Sequence, residues 1–437
     1  MEIRRDFKVK IYRPLPESLM NEFGSWITSE NWESVLSEVS PTSQVESLQT
    51  LLDEKVNAIF PTKTVKLTSF DNPWITAELK ALARRRKREY KKKGRSPKYD
   101  ALKKEFDLKE QKAAKDFMTK NVSDIKNTNP SKAYSILKKL GGKPGDSENQ
   151  AGFILPNHEE QNLTVQESAE AIADHFAKIS QEFPPLRKDN LPNFVQEEID
   201  RKYENLPQLS EFEVYEKIKS VKKPKSQVPG DLPRRLIQEF SPELTLPASH
   251  IYNNIIQTSE WPAQWRIEYG TALQKKPNPE SESDLRIISL TNFLSKAFEK
   301  FVIGWLMFYV SDELDSRQYG GLKGKSITHY LIDFVNFVLY NQDLNVPHMV
   351  LAGMIDFSKA FNRQNHNILI TILCKMGVPG WLLKIVMGFL TNRSMILRHN
   401  GTSSKVKSLP GGGPQGTILG MFLFLILINF AGFEEKK

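Results

Sequence analysis

Apolar positions in the first part of the chain recur at helical spacing within long polar stretches. The segment Val45 to Ile59 reads as amphipathic, and Phe23, Trp26 and Trp32 before it read as packing a small helical unit. Pro73-Trp74-Ile75-Thr76 marks a helix start, with Thr76 or Asp71 as cap and Glu78 in the first turn. Leu102, Phe106 and Phe117 follow at near-helical intervals beyond a break at Gly94 and Pro97, which predicts two antiparallel helices. A Gly, Pro and polar linker opens at Gly141, and Gln166 to Phe176 then reads as a helix (Ala169, Ile172, Ala173, Phe176) ended by Pro184-Pro185.

From Ser210 the pattern predicts a helix, a basic turn and a second helix beginning near Leu232. HIYNNIIQTSEWPAQWRIEYGTALQKK reads as a helix, a Trp-Pro turn and a strand ending at the lysines. Leu294 to Phe308 and Thr328 to Leu339 are apolar helices flanking a glycine-rich basic turn, Gln318 to Gly321 with Lys323 and Lys325. Met349 to Ile355 is a short apolar run ended by Asp356, as a buried strand would be. Ile368, Leu369, Ile372 and Leu373 predict a helix packed beneath it. Met395 to Arg398, a turn at His399, Asn400 and Gly401, and Lys405 to Leu409 predict a hairpin.

Composition narrows this picture. A chain of 437 residues is long enough for two or three domains, and 39% hydrophobic content suffices for a core. One cysteine, Cys374, excludes an internal disulfide, and a reducing compartment is its natural home. MEIRRDFKVK has charge but no apolar core after it, so it does not read as a signal peptide. Ile418 to Ile428 is only about half the ~20 residues that span a bilayer, and reads as a buried helix.

Charge is local. Between Ile75 and Leu140 there are 21 Lys and Arg against 8 Asp and Glu, an excess larger than the whole chain's +9. The run Arg84, Arg85, Arg86, Lys87, Arg88, Tyr90 and Lys91 can neutralise phosphates, with Tyr90 available to stack on a base. The same run also reads as a solvated helix face or a nuclear-localisation signal. The seven histidines show no paired metal spacing, and His175 reads as a surface helix residue.

Asp356 is the first candidate metal ligand, since a carboxylate at a strand end is a hard oxygen donor suited to Mg²⁺. An isolated aspartate there could equally cap the next helix. Phe361 lies five residues on, and the glycines before Pro414, Gln415 and Gly416 allow a backbone to approach a substrate closely.

The ordered blocks LRIISLTNFLSKAFEK, DFSKAF and GGGPQGTILG resemble reverse transcriptases of LINE-type (non-LTR) retrotransposons, over roughly Pro229 to Asn429. WITAELKALARRRKREY is similar to the segment preceding the polymerase in such proteins, which favours them over telomerases or group II intron proteins.

The resemblance implies an α+β right-hand polymerase, fingers and incomplete palm, preceded by helical basic extensions. Its division is a connector resembling the segment after an endonuclease (1–70), a basic helical nucleic-acid-binding segment (71–140), a linker and helical extension (141–209) and the polymerase domain (210–437). It further implies that Asp356 is the first metal-binding aspartate and that Phe361 blocks a ribonucleotide's 2′-hydroxyl. Gln415, with Gly416, would lie beside the incoming nucleotide and template. Arg286, with Lys275 or Lys276, would hold triphosphate oxygens, and the lysines have an ordinary solvated turn as their other reading. Lys323 and Lys325 would contact template, and Ser226, Gly230 and Asp231 match the entry turn of the fingers.

The implied cofactor is Mg²⁺ or Mn²⁺. The implied partners are RNA template, DNA primer, dNTPs and an element-encoded RNA-binding protein, in the nucleus or cytoplasm and without a membrane. Two departures stand out. Asn362 replaces an Asp common in relatives, at a position that is not a metal ligand. The aromatic-Ala-Asp-Asp motif that supplies further catalytic carboxylates does not occur before Lys437, so this chain alone is expected not to polymerise. The rival expectation is a non-catalytic RNA- or DNA-binding remnant.

Overall fold

The computed structural model describes residues 7–68, 72, 74–126, 153–222, 228–344 and 349–430. The expected linker at 141–152, Ser226 in the fingers-entry turn and Asp71 as an alternative cap lie outside these residues. The chain divides into two units, 1–26 with 53–153 and 27–52 with 154–437.

In the first unit, strand β1 (Phe7–Tyr12) pairs antiparallel with β2 (Lys63–Thr68), Tyr12 opposite Lys63. The helix Ala77–Lys93 starts where Thr76 Oγ1 accepts from Leu79 N at 3.2 Å. It satisfies one of the four N–H groups that every helix start leaves free. The second helix, Pro97–Lys126, runs back against the first: Lys109 meets Glu78 at 3.1 Å and Arg86 meets Asp107 at 3.9 Å. These ion pairs show that the predicted antiparallel pair is present, and Leu79, Leu82 and Leu102 on it are buried.

The second unit is built on a five-stranded sheet. Strand β3 (Ile267–Gln274) is central, antiparallel to β4 (Leu285–Leu290) and parallel to β5 (Arg393–His399). Parallel pairing demands a long crossover, and residues 275–392 supply it with several helices. The predicted hairpin forms, with β6 (Thr402–Ser403) and β7 (Lys407–Leu409) both paired to β5. Asn400 and Gly401 both have positive φ, as the tight two-residue turn requires.

The core beside the sheet is aromatic. Tyr252 and Phe298 lie 4.9 Å apart, Trp261 and Phe389 5.1 Å, and Trp261 and Phe298 5.4 Å. Tyr252 is fully buried, and its hydroxyl donates to Leu294 O at 2.8 Å, which avoids the penalty of an unpaired polar group. Asp231 Oδ1 accepts from Phe293 N at 2.9 Å, locking the turn after Gly230 to the start of the helix Phe293–Val310.

One expectation fails. Residues 349–355 form no strand, and Met349, Leu351, Met354 and Ile355 are all more than 70% exposed. An apolar run becomes a strand only when a neighbouring edge takes its N–H and C=O groups, and none does among the described residues. The helix predicted beneath it is His366–Lys375, and it buries Leu369, Ile370 and Leu373 elsewhere, with Ile368 exposed. The helix Ile327–Gln342 also buries no residue, leaving Ile327, Phe337 and Tyr340 in water.

Candidate nucleotide site

The turn after Asp356 is tied to the glycine loop. Gly413 N donates to Phe361 O at 2.7 Å and Gly412 N to Gln364 O at 3.2 Å. The loop is tied in turn to the sheet, with Ser289 N of β4 donating to Gln415 O at 2.7 Å. Phe361 lies against Phe424 at 4.8 Å, so its ring is half-buried and fixed. These links bring Phe361, Gln415, Gly416 and the strand carrying Arg286 into one locality. Arg286 is exposed on β4, its guanidinium directed away from the buried face occupied by Leu285 and Ile287.

Gly416 follows directly on the Gln415 contact with the sheet. Its φ is +128°, and a Cβ there would stand 2.5 Å from Ser289 O. No side chain fits without moving the loop away from β4.

Beneath the loop lies a group of buried charges that sequence reasoning missed. Glu299 is fully buried and its carboxylate accepts from Ile418 N at 2.9 Å and Leu419 N at 3.0 Å. It thereby supplies the anion that the start of the helix Ile418–Asn429 attracts, alongside Thr417 Oγ1, which accepts from Gly420 N at 3.1 Å. That helix start is therefore already satisfied from within the chain. Arg393 lies 3.5 Å from Glu268, both buried. Burial raises the pKa of both glutamates and lowers that of Arg393; attraction between Glu268 and Arg393 opposes it for that pair, and for Glu299 the hydrogen bond from Leu419 N opposes it first. The available sequence signal was a glutamate inside the apolar run FLSKAFEKF.

His366 is also buried, and its Nε2 lies 2.7 Å from Gly412 O, holding the glycine loop from the other side. Burial first, and Arg393 to a smaller extent, lower its pKa, against the opposing hydrogen bond to Gly412.

The expected phosphate ligands divide. Lys276 is paired with Asp284 at 3.1 Å and Glu280 at 3.4 Å, whereas Lys275 Nζ donates to the Ser283 carbonyl at 2.9 Å and is ion-paired with no carboxylate among the described residues. Lys275 thus keeps its charge uncompensated by a carboxylate hydrogen bond. Lys323 is exposed, and Lys325 donates to the Ser316 carbonyl and lies 5.6 Å over the Tyr319 ring. His175, expected on the surface, is half-buried with Nε2 3.2 Å from Lys359 Nζ.

In the first unit, Arg84, Arg85, Lys87, Arg88 and Lys91 are exposed on the helix Ala77–Lys93. Arg86 stacks over Phe106 at 4.6 Å, and Tyr90, 55% exposed, lies 5.2 Å from Tyr99. A groove lined by Lys80, Arg84, Lys87, Tyr90 and Tyr99 runs along this face.

Asp356 is exposed on the irregular segment. Among the described residues no three His, Cys, Asp or Glu side chains converge as metal ligands. One exposed carboxylate does not fit a two-metal centre, which needs oxygen ligands for both ions.

The second unit is thus a mixed helix-and-sheet domain in which the linked blocks share one locality. Residues 273–435 match the family described as reverse transcriptase (RNA-dependent DNA polymerase). The chain is 25% identical over 278 residues to the "Probable RNA-directed DNA polymerase from transposon BS" of Drosophila melanogaster, covering 63% of this chain and 30% of that protein. It is 24% identical over 275 residues to the "RNA-directed DNA polymerase from mobile element jockey" of the same organism, covering 61% and 29%. Over residues 273–435 the chain is thus similar to reverse transcriptases, and it is similar to the RNA-directed DNA polymerases of these mobile elements. It spans under a third of the length of these relatives. No described helix is long and apolar enough to cross a membrane.

Proposed function

We propose that residues 210–437 are the fingers and part of the palm of an RNA-directed DNA polymerase, which extends a DNA 3′-hydroxyl on an RNA template using dNTPs. In this reading the incoming nucleotide's sugar meets Phe361, its base lies over the Gln415–Gly416 backbone, and its phosphates face Arg286 and Lys275. Asp356 would supply one oxygen ligand toward Mg²⁺ or Mn²⁺, and the further carboxylates that a two-metal centre needs are not gathered around it among the described residues. The basic helix pair at 77–126 binds nucleic-acid backbone through Arg84, Arg85, Lys87, Arg88 and Lys91, with Tyr90 as a stacking platform.

The observation that carries the reading is the chain of backbone bonds from Phe361 through Gly413 and Gln415 to Ser289. It supports a preorganised nucleotide platform, because positioning and charge stabilisation supply most of the rate in phosphoryl transfer. Nucleic-acid binding without turnover is the second reading, favoured by the donor set, in which Asp356 stands without a converging carboxylate group among the described residues.

The test is primer extension on an RNA template with Mg²⁺ and dNTPs, run beside RNA binding. Catalysis by this site predicts that Asp356→Asn abolishes extension and leaves RNA binding intact, and that Phe361→Ala admits ribonucleotides. Extension that survives Asp356→Asn would sink the polymerase assignment of this site. RNA binding with no extension by the parent chain would favour the second reading.

A further inference from the structure

We infer that His175 is a positioning residue for phosphate binding: it holds Lys359, in the DFSKAF turn, as one of two cations of an oligophosphate subsite whose other member is Lys275. The inference rests on the polymerase reading above and adds to it a residue upstream of the matched family region, which begins at residue 273.

Three elements converge here. The helix Val165–Ser180 contributes His175 and Lys178, the end of β3 leads to Lys275, and the turn after Asp356 contributes Lys359 and Arg363. Lys359 Nζ lies 3.2 Å from His175 Nε2. The Lys359 backbone is left-handed, with φ +53°, a conformation that a side-chain-bearing residue adopts only when its surroundings impose it. Its carbonyl accepts from Asn362 N at 2.9 Å and Arg363 N at 3.1 Å, which fixes the turn.

The charge balance points to an anion. Two carboxylates of the described residues act on the cluster, and each is paired with a residue other than Lys359 and Lys275. Glu182 pairs with Arg363 at 3.0 Å, and Glu282 pairs with His158 at 2.8 Å and with Asn157. Lys359 and Lys275 instead hydrogen-bond neutral acceptors, an imidazole and the Ser283 carbonyl. An imidazole can accept from an ammonium only while it is unprotonated, and burial together with Lys359, Lys275 and Lys178 favours that form of His175 against the pull of Glu282. Burial, Arg363 and Lys275 likewise strain the charge on Lys359, with Glu182 opposing. A half-buried Lys359 and an exposed Lys275, neither hydrogen-bonded to a carboxylate among the described residues, form a positive site that a polyanion relieves. Lys359 lies three residues after Asp356, so the anion it faces belongs to the reacting nucleotide: a triphosphate, or the pyrophosphate it releases.

The experiment is calorimetric titration of the full chain with inorganic pyrophosphate and with dTTP. It uses the parent, Lys359→Ala, His175→Ala, His175→Gln and the Lys359→Ala/His175→Ala double variant, with thermal unfolding as the check on folding. We expect each alanine variant to lose about tenfold in affinity for both probes, the scale of one charge-assisted contact. The double variant should lose no more than Lys359→Ala alone, since His175 acts through Lys359. Glutamine, whose carbonyl can still accept from Lys359, should restore most of the affinity.

Unchanged binding in Lys359→Ala, or in a folded His175→Ala, would overturn the inference. So would additive losses in the double variant, or a parent chain that binds neither probe. A single-stranded RNA arm separates the phosphate sources: losses confined to RNA would assign the cluster to backbone phosphate and refute the oligophosphate subsite. Asp356-dependent primer extension decides the polymerase reading independently of all these outcomes.

Discussion

Replacing Gly416 with alanine tests whether the glycine loop must touch the sheet. A Cβ at this position would lie 2.5 Å from Ser289 O, and φ is +128°. The neighbouring bond, Ser289 N to Gln415 O at 2.7 Å, prevents the loop from backing away without losing it. The backbone conformation alone costs a side-chain-bearing residue about 1–3 kcal/mol. The lost hydrogen bond adds about 1 kcal/mol, for a destabilisation of roughly 2–4 kcal/mol. Gly401→Ala is the internal control, because its φ is +85° but nothing lies within 4 Å of the added atom. It should cost only about 1–2 kcal/mol for the left-handed backbone. Urea unfolding followed by tryptophan fluorescence reads the second unit, since Trp261 and Trp265 are in its core. Gly416→Ala should also weaken dTTP binding, whereas Gly401→Ala should not. Equal destabilisation by the two substitutions would refute the close-approach argument.

Other outcomes follow from the same geometry. Glu299→Ala leaves one buried and one half-buried backbone N–H of the helix Ile418–Asn429 unpaired, and should cost about 2–4 kcal/mol in urea unfolding, whereas Glu299→Gln keeps an acceptor and should cost about 1 kcal/mol. Indistinguishable losses in the two variants would show that the carboxylate does not cap this helix. His366 has its pKa lowered in the fold, so the unfolded chain takes up the proton first as pH falls below about 6.5. The stability it contributes is full above that pH and declines as pH drops toward the folded value. His366→Gln should flatten part of the decline in melting temperature between pH 7 and 5, and an unchanged slope would exclude His366 as a source. Replacing Arg84, Arg85, Lys87 and Arg88 by alanine should weaken RNA binding and reduce its dependence on log salt by about 0.7 per lost phosphate contact. An unaltered salt slope would mean these side chains only solvate the helix.

Some of this architecture was legible from local chemistry. Thr76 before a helical run, Ser210 at the start of the next predicted helix, and Asn400-Gly401 between apolar segments act on backbone groups a few residues away. Their outcome depends little on the rest of the chain. The family blocks were legible for the same reason, as ordered short segments.

What the sequence could not decide depends on neighbours distant along the chain. Met349 to Ile355 has the composition of a buried strand, yet a strand exists only through a paired edge, and among the described residues the run is unpaired and exposed. Glu299 reads as one more charge on a helix until residues 119 and 120 positions later place their N–H groups against it. His175 reads as a surface histidine until folding sets it 3.2 Å from a lysine 184 residues away. Local propensity determined where helices and turns begin. Tertiary contact decided which charges are buried, which of them are paired and where an apolar run remains uncovered, because desolvation and pairing belong to a place in space rather than to a position in the chain.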